Sequence, residues 1–411
     1  MLIRYSVENF KSIRDKVELS MEAVGISELK ETLITGNDGN QYLPLAAIYG
    51  PNGGGKSNVL ESLFSLKQRL VLPIISSLSN VPIERHVRAI MTPFLFNAEN
   101  VNKPIVFEVK FANVFGEYKY KISFEGEIVT EEILEINKYK TNKTSLLFEK
   151  LNGEVKLGEE FKGFRIPASI SKGLPILSFV GYSYKEHDIV KDVVDWWMNR
   201  VTIENYANVF TETQILDDSD VRVKNRVLQF LNEVDINIVD YVVDKNNTKN
   251  IKIFTTHETN GYKSTIDFFA ESSGTIKMFT LAPKIIQSLM NGSTLVIDEI
   301  DAKLHPLLLR HIVELYNSKE SNKNGAQLIF TSHDMTTMTN ELLRRDEIWF
   351  AAKGNGEDTQ LYSLIEFKDE GETVRKDAKY SKQYLEGRYG ADPYFQKIIN
   401  WDEVHNEQKT E

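Results

Sequence analysis

The sequence predicts an α/β fold, and three observations carry that reading. Mostly apolar runs, LPLAAIY at 43–49, TLVIDE at 294–299 and AQLIFTSHD at 326–334, read as strands covered on both faces. Helical patterns stand between them, and strands alternating with helices on a common sheet mark the α/β class. A glycine-rich stretch at 50–55 joins the first of these strands to a helix.

In chain order, residues 2–8 read as a strand and 43–49 as the next. In KSNVLESLFSLKQRL, Leu60, Leu63, Phe64 and Leu70 fall at helical spacing, so that helix packs on one side. Over 104–137 the period drops to two, in PIVFEVKF, YKYKISF and EILEINK, broken by Gly116 and Gly126; this is an antiparallel β meander. Residues 138–175 are mixed and turn-rich. From 186 to 235 the pattern is helical, clearest in EHDIVKDVVDWWMNR and VRVKNRVLQFLNEV, without the sustained heptads of a long coiled coil. KNIKIFTTHE and STIDFFAE are strand-like and lead to SSGT at 272–275. A helix over 275–290 follows, with Gly292 placed as its stop. PLLLRHIVELYN is a helix with Pro306 at its start. EIWFAAK and QLYSLIEF read as edge strands. The expected organisation is residues 1–99 and 266–411 as two halves of one mixed-sheet head, with 100–265 inserted as meander and helical arm.

Length alone allows two or three ordinary domains or one large one with insertions: the chain has 411 residues. Hydrophobic residues make up 41% and charged ones 26%, which is globular usage and excludes a largely disordered chain. Cysteine is absent. That removes disulfides, cysteine zinc sites and a cysteine nucleophile, and suits a reducing compartment. The net charge of −10 does not make a general phosphate-binding surface, so a nucleic-acid contact would need a local basic face, and none is evident. No apolar run approaches about 20 residues, and MLIRYSVENFKSIR lacks a signal-peptide core. A cytoplasmic protein without a membrane span is the expectation.

GPNGGGKS at 50–57 fits G-x-x-x-x-G-K-[ST] in its proper setting, after a strand and opening a helix. Asn52, Gly53, Gly54 and Gly55 let backbone N–H groups crowd around phosphate oxygens, and the helix N-terminus adds a favourable dipole. Lys56 would neutralise the β- and γ-phosphates of ATP, and Ser57 would offer its hydroxyl to Mg²⁺. TLVIDE supplies the complement. Asp298 emerges at the carboxyl end of a buried strand, where ligands bind in open α/β sheets, and would hold the same Mg²⁺. Glu299 follows as the candidate general base.

Three further segments narrow the class. ESSGT sets Ser272, Ser273 and Gly274 at a helix N-terminus, DEIDAKLHP continues past the acidic pair, and TSHD brings His333 towards the same sheet edge. The order of these five elements resembles the ABC-type ATPase heads of the SMC-like and overcoming-lysogenisation-defect (OLD) families. VENFKSI near the start and YLEGRYG near the end add a likeness to the stand-alone ATPases of bacterial abortive-infection and anti-phage systems. The resemblance implies a P-loop NTPase working as a homodimer or higher homo-oligomer, with Ser272 and Gly274 of one protomer meeting the γ-phosphate held by the other. It implies that Asp301 lies in the stretch crossing that interface, that His333 senses the γ-phosphate, and that Lys11 and Ser12 of Asn9–Ser12 lie near the nucleotide. The pattern departs from those families in two places. No glutamine has the strand context of their Q-loop, since Gln68 comes too early and Gln214 lacks a strand. Glu271 and Ser273 also stand where Leu and Gly are usual.

Other residues carry less. His305 and His311 do not share a helix face well, and Trp196 and Trp197 read as core. Arg375, Lys376, Lys379, Lys382 and Arg388, interleaved with Tyr380 and Tyr384, form either a partner patch or a solvated helix. OLD-type nucleases fuse such a head to a TOPRIM module. Here the segment after His333 reads mainly as strands of the head, so the expectation is an ATPase regulating a separate effector, a TOPRIM-type nuclease, in phage defence. The alternative is a chromosome-maintenance or repair ATPase acting directly on DNA.

Overall fold

The computed structural model describes residues 1–79, 91–141, 143–167, 170–204, 220–244, 252–354, 356–369 and 372–391. Its centre is a six-stranded sheet in the order Val201–Glu204, Thr294–Ile297, Gln327–Thr331, Leu45–Tyr49, Ile348–Lys353 and Thr359–Ser363. The first five strands run parallel, and the last pairs antiparallel with Ile348–Lys353. Both faces are covered, as the unbroken apolar runs require. Side chains of a strand alternate between faces, and the core divides accordingly. Ala46, Ile48, Val296 and Ile329 point into one hydrophobic cluster, while Leu45, Ala47, Tyr49, Leu295, Ile297, Leu328 and Phe330 point into another.

The first cluster holds the helix Lys56–Ser79, which buries Val59, Leu60, Leu63, Leu66 and Leu70 along one stripe. Beyond it lies a seven-stranded antiparallel sheet in the order Glu154–Leu157, Lys143–Leu151, Ile128–Lys138, Gly116–Glu125, Ile105–Ala112, Leu2–Glu8 and Val17–Ser20. Its inner face is built by register. Phe107 faces Ile122, Val109 faces Tyr120 and Phe111 faces Tyr118, all buried. The meander is thus wider than the 104–137 pattern suggested. The stretch 138–175 contributes two more strands, whose alternation is obscured by exposed polar positions towards their ends.

The second cluster holds the helices Ser273–Asn291 and Pro306–Asn317, with Val221–Glu233 against the first of these. The strands Asp240–Asp244, Lys252–Thr259 and Tyr262–Asp267 form a small antiparallel sheet beside them. Among the described residues no helix is long and apolar enough to cross a membrane.

Three expectations differ from this arrangement. The helices of 176–200 do not form an arm; they pack into the head. Buried Glu132 on the meander accepts the N–H groups of Ile176 and Leu177 at 2.6 and 2.9 Å and the Tyr120 hydroxyl at 2.9 Å. Burial pushes its pKa up to about 7. Ser178 donates to Leu70 O at 2.8 Å, and Trp196 stacks on Phe111 with centroids 4.1 Å apart. Next, Val201–Glu204 is not helical but an edge strand of the central sheet, too short to show a period. Last, EIWFAAK is an inner strand, and of the two expected edge strands Thr359–Ser363 alone lies at an edge. The tail tyrosines Tyr380, Tyr384 and Tyr389 are buried, with Tyr384 and Tyr389 packed on Phe350, so apolar contact rather than a basic face decides their place.

Candidate functional site

Parallel register brings three loops to one edge. Ile297 pairs with Phe330, and Thr331 with Ile48, so the residues that follow these strands emerge side by side. Gly50 begins the glycine loop with φ 148° and lies so close to Ala351 O that an added Cβ would sit 2.1 Å from it. Gly55 closes the loop at φ 96°. Only glycine accommodates both the angle and the approach. Lys56 is buried and donates Nζ to Gly50 O at 2.9 Å and Pro51 O at 3.1 Å. Desolvation pulls its pKa down, opposed by the charges of Asp298, Glu299 and Asp301.

Ser57 donates its hydroxyl to Asp298 Oδ1 at 3.1 Å, joining groups 241 positions apart in the chain. Asp298 Oδ1 also accepts the Thr331 hydroxyl at 2.6 Å, and Thr331 Oγ1 accepts the Glu299 N–H at 2.7 Å. Glu299 sits in the left-handed region at φ 49°, which a residue with a side chain seldom adopts. Asp298 N–H donates to Glu204 O at 3.0 Å, so the edge strand Val201–Glu204 supports the acidic pair from the other side. Glu204 in turn meets buried Lys284 of the helix Ser273–Asn291 at 2.6 Å.

His333 N–H donates to Asp301 Oδ2 at 3.2 Å, while Asp301 Oδ1 is buried with no hydrogen-bond partner among the described residues. Desolvation and then the charge of Lys56 lower the His333 pKa against the pull of Asp301, Glu299 and Asp298. Lys11 takes a left-handed turn at φ 50° and pairs with Glu61 on the helix after the loop. Ser12 accepts the Asn58 amide at 2.7 Å. Asn52 and Gly53 lie at the exposed crest of the loop, whereas Gly54 is buried beneath it.

Ser272 and Gly274 stand apart from this group. Ser272 caps its own helix, accepting the Thr275 N–H at 3.1 Å, and is exposed. Gly274 approaches the loop that follows the acidic pair, where an added Cβ would be 3.3 Å from Lys303 O. Neither side of this helix start has a hydrogen bond to Lys56, Asp298 or Glu299 among the described residues. Gln68 lies within the helix Lys56–Ser79, and Gln214 falls outside the described residues.

Sequence reasoning missed Thr331, Asn58, Glu204 and Thr359. Thr331 was inside the quoted TSHD run; the others carry no local signal. The donor set suits Mg²⁺: a hydroxyl and a carboxylate oxygen converge at 3.1 Å, both hard ligands. Among the described residues no three His, Asp or Glu side chains form a metal cage. These two oxygens fit an ion that takes the rest of its shell from phosphate and water.

A family model described as "AAA domain, putative AbiEii toxin, Type IV TA system" matches residues 45–339. No curated protein matches the chain. Solved structures similar to it include the SMC head domain from Thermotoga maritima, at 14% identity over 88% of this chain and 98% of that one, with a TM-score of 0.39. Another is an SMC head bound to the C-winged helix domain of ScpA, at 14% identity, 88% and 97% coverage and a TM-score of 0.40. A third is an Smc head with an extended coiled coil bound to the C-terminal domain of ScpA from Pyrococcus furiosus, at 14% identity, 88% and 96% coverage and a TM-score of 0.34.

Proposed function

The chain belongs to this AAA-domain family of P-loop ATPases, the abortive-infection group its motifs resemble, and we propose that it binds and hydrolyses ATP at the edge built by Lys56, Ser57, Asp298 and Glu299. The observation that carries the reading is the Ser57–Asp298 hydrogen bond at 3.1 Å, with buried Lys56 in the same loop and Glu299 next in sequence. Lys56 exchanges its loop carbonyls for the β- and γ-phosphates of the substrate. Ser57 and Asp298 are the residues that would hold Mg²⁺, which when bound offsets phosphate charge. Glu299 accepts a proton from the attacking water, the γ-phosphoryl group passes to that water's oxygen, and ADP leaves with inorganic phosphate. His333 can donate a hydrogen bond to the γ-phosphate. Lys11 and Ser12 border the nucleotide from the N-terminal turn.

Ser272, exposed and without a hydrogen bond to Lys56, Asp298 or Glu299 among the described residues, supports a homodimeric site together with Gly274 beside it. In the same reading Asp301, with one buried oxygen unpartnered among the described residues, crosses to the second protomer. ATP-dependent closure then regulates a separate effector of the TOPRIM nuclease type in phage defence; the family's description as a putative toxin of a type IV toxin–antitoxin system supports the defence setting alone.

The test is ATP turnover and Mg-ATP binding on purified chain. Lys56→Ala should abolish the ATP-induced thermal shift. Glu299→Gln should bind ATP while turnover falls by about 10²–10⁴-fold, the usual worth of a general base. Wild-type turnover in Glu299→Gln would assign the base elsewhere. Failure of any nuclease encoded nearby to co-purify would remove the effector role and leave the ATPase intact.

A further inference from the structure

Three segments remote in sequence meet in a small hydrogen-bonded bracket beside the glycine loop. Thr359 opens the edge strand Thr359–Ser363 and is buried. Its N–H donates to Ser12 O at 2.7 Å, and its hydroxyl lies 2.7 Å from Ser12 Oγ. The Asn58 amide, one residue past Ser57, donates to that same Ser12 Oγ at 2.7 Å. Gly55 rests directly on the threonine: a Cβ there would lie 1.9 Å from Thr359 Oγ1 and 2.7 Å from its methyl carbon. Behind the bracket, Asp358 O accepts the Gly354 N–H at 2.7 Å, and the Asp358 carboxylate accepts the Gly356 N–H at 3.2 Å and faces Arg14 at 3.5 Å. Thr359 lies beyond residues 45–339, so the family match does not assign it.

We propose that Thr359 is a positioning residue for the nucleotide, acting through Gly55 and Ser12. The inference rests on the reading of Lys56 and Ser57 as nucleotide ligands. A glycine loop has more backbone freedom to lose on ordering than any other. The bracket removes part of that freedom before the ligand arrives, and such preorganisation appears in affinity rather than in the chemical step. Thr359 fixes the loop's closing glycine and the N-terminal turn as one unit, and the edge strand supplies the rigid support.

The decisive variant is Thr359→Val, which keeps the volume under Gly55 and deletes the hydroxyl. Isothermal titration of the full chain with Mg-ATP should show Kd raised roughly 3- to 10-fold, the worth of one neutral hydrogen bond. KM should rise with it while kcat at saturation holds. Thr359→Ser should return Kd to near the wild-type value. In the Ser12→Ala/Thr359→Val double variant the loss should be no larger than the greater single loss, as for partners in one contact. Unchanged affinity in Thr359→Val, or a fall in kcat at constant KM, overturns the proposal. Should Thr359→Val not fold by circular dichroism, Ser12→Ala reports from the other side, and wild-type affinity there overturns it equally. Lys56→Ala separates the two levels: lost ATP binding in Lys56→Ala beside normal binding in Thr359→Val defeats only the bracket. ATP binding retained in Lys56→Ala defeats the loop assignment beneath it.

Discussion

Replacing Thr331 by valine tests whether the acidic pair is held for hydrolysis. Thr331 is fully buried, and its one hydroxyl serves two clients: it donates to Asp298 Oδ1 at 2.6 Å and accepts the Glu299 N–H at 2.7 Å. Valine has nearly the same shape without the hydroxyl. The Glu299 N–H is then left without its acceptor, at about 1–3 kcal/mol, and Asp298 loses a charge-assisted bond worth about 1.5–3 kcal/mol. Asp298 keeps Ser57, so the two losses do not add in full. A fall in unfolding free energy of about 2–4 kcal/mol is expected.

The effect on turnover follows from the backbone. Glu299 at φ 49° occupies a conformation that costs on the order of 1–3 kcal/mol and persists only where neighbours impose it. The restraints are the Thr331 hydroxyl, the Ile300 N–H to Thr331 O at 3.1 Å and the Ala302 N–H to Glu299 O at 3.1 Å. Removing the first frees the carboxylate's point of attachment, and kcat should drop 10-fold or more while the Kd for Mg-ATP changes less. Urea titration and steady-state phosphate release measure the two effects, and Thr331→Ser should restore both. Wild-type turnover in a Thr331→Val protein that has lost stability would show that the hydroxyl serves folding alone and would refute the reasoning.

Two further outcomes are expected. Glu347 is fully buried, its Oε1 without a hydrogen-bond partner among the described residues, and burial pushes its pKa up to about 8 from 4.5. The unfolded chain therefore gives up this proton first, so stability is present below about pH 4.5 and is lost as pH rises towards 8, by on the order of 4–5 kcal/mol across the window. Glu347→Gln should remove that slope, so the stability difference between variant and wild type should widen from pH 5 to pH 8; parallel pH profiles would defeat the assignment. Ser272→Arg should leave ATP binding nearly intact, because among the described residues the Ser272 hydroxyl bonds within its own helix turn, yet block turnover by preventing closure between protomers. Mixed with Lys56→Ala it should regain about one working site per heterodimer; heterodimers that form and stay inactive would exclude a shared site.

What was legible in the sequence was whatever a short window encodes. The inner strands of the central sheet are buried on both faces, so their apolar runs are continuous and bounded by glycine, acid or histidine. The glycine loop and the Asp298–Glu299 pair follow such strands directly, and parallel pairing places them together without further information. Val201–Glu204 has four residues and no period, and its membership of the sheet depends on Thr294–Ile297 lying alongside. The strands of 143–157 have exposed positions that interrupt their alternation. Thr359 and Asn58 are ordinary polar residues whose meaning comes from Ser12, which lies 347 positions from Thr359 in the chain. No local pattern could have found them.

The departure at Glu271 has the same origin. Read along the chain, an acid in place of the usual leucine is a bare departure from the families' pattern. In the fold Glu271 Oε1 accepts the Thr255 hydroxyl at 2.5 Å and meets His257 Nε2 at 2.7 Å, both from the strand Lys252–Thr259. A leucine there would leave the buried Thr255 hydroxyl without this acceptor and the imidazole without its carboxylate. The small antiparallel sheet is thereby tied to the residue immediately before Ser272. The acid is local adaptation to a neighbouring hairpin, and the helix start it holds keeps Ser272 exposed, as a contact made with a second protomer would require.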